Sequence, residues 1–188
     1  PRLDGLPETP PRLTTSWGYV RFHGRNAANW WRGSNVRRYD YLYREEFGIS
    51  PKTAWIPDVF GNSWTMPQIL RKSGLKYYVT HKMSIWNDTN PWDRHVFWWQ
   101  GPDGSRIFAH VPPGHFIGTM DPAHIRWQWN TYSGRETVGE SLYTFGWGDG
   151  GGGPDVLMLE CAKRYENFPG LPSLKMTSIE DALESMYR

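Results

Sequence analysis

A chain of 188 residues is long enough for one domain with its own core, since domains commonly run about 100–200 residues. Its 21 Lys and Arg against 19 Asp and Glu leave a formal charge of +2, with no basic stripe of the kind that grips nucleic acid, and its single cysteine, Cys161, excludes an internal disulfide and a thiol-based metal cluster. No run approaches the roughly 20 apolar residues of a membrane-spanning helix, and the start lacks a signal-peptide apolar stretch, so the chain reads as soluble, with no membrane or nucleic-acid partner and a cytoplasmic setting favoured.

The proline-rich stretch 1–16 predicts an irregular lead-in, and residues 1–34 as a whole are irregular or unassigned. Residues 35–47 place Val36, Tyr39, Leu42 or Tyr43 and Phe47 at helical intervals, and Gly48 stands where a helix would stop. The short apolar run Thr53–Pro57 predicts a buried strand with Asp58 at its C-terminal tip. Thr65–Ser73 predicts a helix with Pro67 in its first turn, closed by Gly74, and Lys76–Thr80 predicts the next strand. His95–Trp99 and Arg106–Val111 flank Gly101-Pro102-Asp103-Gly104, residue types of a tight turn, and read as a hairpin insertion. Glu140–Phe145 leads into the glycine run 148–153, after which Asp155–Tyr165 reads as a helix opened by Pro154. Residues 166–188 read as a helical continuation toward a next domain, with Thr177 or Ser178 ahead of Glu180 marking a helix start.

Strands alternating with helices predict an α/β fold, which places reactive groups on the loops after the strand C-termini. Asp58 has that position; the alternative is an aspartate that caps a turn through its own backbone. Asp149 lies among glycines that let backbone approach a ligand, or that make a plain linker. The glycine run lacks the Lys-Ser/Thr ending of a phosphate-binding loop. None of the six histidines falls in a compact metal motif, and each reads as structural. With 12 Trp, 10 Tyr and 8 Phe, the apolar content is unusually aromatic, which suits a core or the flat walls of a sugar cleft. Trp86-Asn87-Asp88-Thr89-Asn90, followed by Trp92, Trp98 and Trp99, mixes amides, a carboxylate and ring faces as a sugar site demands; it also fits a surface loop anchored by tryptophans.

Four ordered segments carry a resemblance: residues 46–70 (EFGISPKTAWIPDVFGNSWTMPQIL), WNDTN at 86–90, FWWQGPDGSRIFAHVPP at 97–113 and FGWGDGGGGP at 145–154. Together they resemble glycoside hydrolase family 38, the α-mannosidases, in the cytosolic, vacuolar and bacterial branch. The resemblance implies retaining hydrolysis of α-mannosides in a seven-stranded (β/α) barrel with one zinc ion. Residues 35–165 would be part of that barrel. It implies that Asp58, first residue of the D-x-F-G-x-S motif, is nucleophile and zinc ligand, and that Asp149 is the acid/base. Trp55 and Trp64 are candidates for lining the cleft, as Trp86 and Asp88 are for contacting the sugar.

Departures from the family pattern shape the expectation. The chain has no H-x-D string and no E-L-H-R-G-like string, so of the four implied zinc ligands it carries Asp58 alone, and a zinc site normally needs three or four. It is expected to be a fragment that is inactive and zinc-poor by itself, from a parent enzyme that acts on α-mannoside glycans and is a candidate homo-oligomer. The competing readings are a carbohydrate-binding module that stacks sugars on tryptophan without chemistry and a truncated product without function.

Overall fold

The structure, a computed structural model, describes residues 50–148 and 152–188. The expected lead-in 1–34, the helix 35–47 and Asp149 lie outside the described residues. Residues Pro51–Arg188 form one compact unit, built from β1 (Thr53–Trp55), α1 (Met66–Lys72), β2 (Tyr77–Val79), β3 (Val96–Gln100), β4 (Arg106–His110), α2 (Pro122–Thr131), α3 (Val156–Arg164) and α4 (Ile179–Tyr187).

The strands form one sheet in the order β1-β2-β4-β3. β1 pairs with β2 and β2 with β4 in parallel, while β3 returns antiparallel along the outer edge of β4. The hairpin is therefore not an insertion: β4 is an inner strand, hydrogen-bonded on both sides, and β3 alone is the added edge. Its turn closes as the residue types require, with Gly104 at φ 83° and its N–H donating to the Gly101 carbonyl at 3.1 Å.

Alternation along the inner strands feeds two cores. Tyr78, Ile107 and Ala109 face α1, where they pack with Leu70. Tyr77, Val79 and Phe108 face the other way and pack with Leu142 and with Ala182, Leu183 and Met186 of α4. Helices on both faces explain why β2 is buried at all three positions. Trp98 and Trp99, counted above with the sugar-binding aromatics, take part in this packing, and Trp98 stays 46% exposed. Trp99 lies 5.4 Å from Tyr78 between ring centroids, and Trp98 lies 5.6 Å from Tyr187.

Three helices are capped by local chemistry. Asp121 accepts from Ala123 N–H at 3.0 Å, Asp155 from Met158 N–H at 2.8 Å and Ser178 from Asp181 N–H at 3.1 Å. Asp155 is thus the N-cap of α3, and Pro154 precedes the helix where the sequence suggested that it opened it. α2 was not anticipated. It packs against α3 through Met120, Ile125, Met158 and Ala162, and its buried Gln128 donates to the Leu142 carbonyl at 2.7 Å.

His110, at the end of β4, ties this layer to the sheet. Its Nδ1–H donates to the His95 carbonyl at 2.7 Å, and its Nε2 accepts the Leu142 N–H at 3.1 Å. Accepting from Leu142 requires the neutral ring, and burial pushes its pKa down to about 3, against the pull of the His95 carbonyl. An unfolded histidine takes up its proton near pH 6.5, so the stability supplied by the neutral ring is complete above that pH and is lost as pH falls toward 3. We predict that the urea midpoint of the chain drops from pH 7 to pH 4, with a slope of about 1.4 kcal/mol per pH unit for each such ring. His110→Gln should flatten that slope; an unchanged pH dependence would contradict the assignment.

Candidate active site

The parallel strands β1, β2 and β4 end at the same edge of the sheet, and the segments that follow them lock together there. Ile56 N–H donates to the Val79 carbonyl at 2.9 Å and Thr80 Oγ1 to the Ile56 carbonyl at 2.8 Å. Ser84 Oγ donates to the Pro112 carbonyl at 2.8 Å, and the Tyr78 hydroxyl reaches Asn62. The register pairs Trp55 with Val79. Asp58 and Lys82, each three residues past that pair, continue the same offset and meet: Lys82 Nζ lies 3.1 Å from Asp58 Oδ1.

The two partners differ sharply in environment. The Lys82 side chain is 0% exposed and that of Asp58 58% exposed. Among the described residues Lys82 Nζ makes no aligned hydrogen bond; besides the carboxylate, it faces rings. It sits 3.3 Å from the ring centroid of Trp86, 5.2 Å from Phe60 and 5.3 Å from Phe116. A buried ammonium is costly unless paired, and here one carboxylate and three aromatic faces offset that cost. Trp86 is the one non-glycine among the described residues with positive φ, 54°, a conformation that persists where surroundings enforce it. Its ring is braced by Lys82 and by His115, 4.5 Å away between centroids.

His81 is the next residue inward. Its ring is fully buried between Trp55 and Phe116, with centroids at 6.2 and 5.9 Å. Burial pushes its pKa down to about 4, opposed by the bond to the Gly114 carbonyl. The ring is therefore neutral at pH 7, its Nδ1–H donates to the Gly114 carbonyl at 2.9 Å, and Nε2 is a buried acceptor without a partner among the described residues.

The structure thus gathers Asp58, Trp86 and Trp55 around Lys82 and His81. Trp55 is 40% exposed and Trp86 66% exposed. Trp64, at 72% exposed, and the exposed Asp88 share none of the ion-pair or ring contacts of this cluster. Asp149 lies outside the described residues, but the base of its loop is pinned at the same edge. Gly118 N–H donates to the Thr144 carbonyl at 3.1 Å, Gly146 N–H to the Gly118 carbonyl at 3.0 Å and Trp147 N–H to the Gly153 carbonyl at 2.9 Å.

Lys82 drew no notice in the sequence, whereas His81 read as structural, and its buried ring and bond to the Gly114 carbonyl agree with that reading. No local signal in the sequence marked Lys82, because the pairing of β1 with β2 that brings it to Asp58 is non-local.

Residues 40–187 match the glycosyl hydrolases family 38 N-terminal domain. The chain belongs to this family. It is 38% identical over 150 residues to human alpha-mannosidase 2C1, covering 77% of the chain and 14% of that protein. It is 39% identical over 129 residues to alpha-mannosidase of Saccharomyces cerevisiae, covering 67% of the chain and 12% of that protein. The crystal structure of an alpha-mannosidase from Enterococcus faecalis V583 superposes on 77% of the chain and 17% of its own length, with a TM-score of 0.52 at 16% identity. The chain therefore spans a small part of the family 38 proteins that it matches, and shares their mixed α/β fold.

Enzymes of family 38 are in general zinc-dependent. Among the described residues no three His, Cys, Asp or Glu side chains gather to hold a metal ion, and Asp58 Oδ1 already faces an ammonium. The described residues do not by themselves form a zinc site.

The pinned loop base yields a test of the edge itself. A Cβ on Gly118 would stand 2.6 Å from the Thr144 carbonyl oxygen, so Gly118→Ala should force the 114–118 and 141–148 segments apart and destabilise the chain by about 1–3 kcal/mol. A chemical denaturation midpoint equal to that of the unaltered chain would contradict this packing.

Proposed function

We propose that the chain supplies the nucleophile-bearing part of a retaining α-mannosidase, one that hydrolyses terminal α-mannosyl residues of oligosaccharides or glycoproteins. The single observation that carries this reading is an exposed carboxylate, Asp58, held by a buried ammonium at the carboxyl ends of parallel strands in a family 38 chain. An exposed oxygen beside a fixed one is what a nucleophile needs. In an intact enzyme this sheet would be one arc of a seven-stranded barrel.

In the first half-reaction Asp58 attacks the anomeric carbon, an ester forms there, and the glycosidic C–O bond breaks. Asp149, protonated, gives its proton to the leaving oxygen. Water then attacks the same carbon, yields a proton to the Asp149 carboxylate and releases Asp58, so configuration is retained. Asp149 must stay protonated near the working pH, which calls for burial or a nearby negative charge around it in the intact enzyme. Trp55 and the open face of Trp86 would border the sugar. Zinc would be held by Asp58 together with ligands that this chain does not carry.

Two outcomes are expected. The purified 188-residue chain releases no p-nitrophenol from an aryl α-mannoside. In the intact enzyme that carries this segment, Asp58→Ala lowers kcat at least about 1,000-fold, a loss of roughly 4 kcal/mol of transition-state stabilisation. Turnover by the chain alone, or undiminished cleavage by the variant, would contradict the proposal.

A further inference from the structure

We infer that Lys82 is a positioning residue for the Asp58 nucleophile, clamped for that purpose by the aromatic cage of Phe60, Trp86 and Phe116; the inference rests on the nucleophile reading given above. Three independent observations converge. The Lys82 side chain is wholly buried, and its ammonium meets a single carboxylate oxygen, Asp58 Oδ1. Three ring faces surround that ammonium, the nearest centroid at 3.3 Å. Trp86, which supplies that nearest face, is held at a positive φ that a tryptophan does not adopt by preference.

The physical consequence is pre-organisation. Among the described residues the carboxylate, more than half exposed, is held by Lys82, and reaction requires one oxygen within near-attack distance of the anomeric carbon. Lys82 cannot itself swing away, because its stem and head are enclosed. It therefore holds the Oδ1 side of the carboxylate in place. In the second half-reaction the bond between Asp58 and the anomeric carbon breaks with its electron pair passing to the carboxylate, and the same ammonium faces the charge that returns to Asp58. Trp86, expected from the sequence to stack on sugar, has one face committed to this cation.

The test uses the intact enzyme that carries this segment, with Lys82→Met, Lys82→Arg and Asp58→Ala compared on an aryl α-mannoside. Active sites are counted by end-point labelling with a 2-deoxy-2-fluoro mannosyl donor, so that any misfolded fraction drops out. We expect Lys82→Met to lower kcat per labelled site about 100-fold without raising KM, and Lys82→Arg, which keeps the cation, to recover most of that loss. A Lys82→Met rate per site within about threefold of the unaltered enzyme overturns the inference. So does a loss that Lys82→Arg leaves unrelieved. If Asp58→Ala is inactive while Lys82→Met is not, the positioning role alone has failed; if Asp58→Ala remains active, the nucleophile reading has failed and the inference with it.

Discussion

The contact between the buried Lys82 ammonium and the Asp58 carboxylate is the constraint around which this edge of the molecule is arranged. A cation with no solvent access must find its partners inside the fold, and the surrounding structure supplies them. The parallel pairing of β1 and β2 sets the two residues at equal distances beyond the sheet. The segment after β2 turns through a strained Trp86 to cover the ammonium with a ring, and the segment after β4 adds Phe116 and the Gly114 carbonyl that orients His81. Each of the three post-strand segments contributes to this one small volume.

That arrangement depends in turn on how the sheet is buried. β2 lies in the middle of two cores, with Tyr78 on one face and Tyr77 and Val79 on the other, and a strand enclosed on both faces cannot slip by one residue without exchanging its apolar sets. Register is therefore rigid where the site needs it. His110 adds a polar tie at the neighbouring strand end, joining β4 to the His95 carbonyl and to Leu142. The core that stabilises the sheet and the geometry that aims Asp58 are the same set of contacts.

Much of this was legible in the sequence wherever the signal is local. The Pro67 and Gly74 that bracket α1, the Gly101–Gly104 turn and the cap near Ser178 all act within a few residues, and the corresponding elements formed; the run before Asp58 formed a strand too, but β1 lies at the edge of the described sheet and is not buried as expected. Non-local pairing was not legible. Nothing in the hairpin strands themselves states that β4 would insert beside β2, which made an inner strand look like an appendage. α2 escaped because its buried positions, Ile125 and Gln128, include one apolar residue only, too little for a helical stripe, although Asp121-Pro122 was a usable start signal. Asp58 was recognisable from its motif, whereas Lys82 was not, since the burial of a cation is decided by tertiary packing.

The family match, the shared fold and the position of Asp58 lead to one central claim: a covalent bond forms between sugar and this carboxylate. Digestion of the intact enzyme after inactivation by a 2-deoxy-2-fluoro mannosyl donor, followed by peptide mass mapping, tests it most directly. The account predicts that the added mass resides on Asp58, within the tryptic peptide that runs from Thr53 to Arg71. An adduct on any other carboxylate, or inactivation without any covalent adduct, would contradict it.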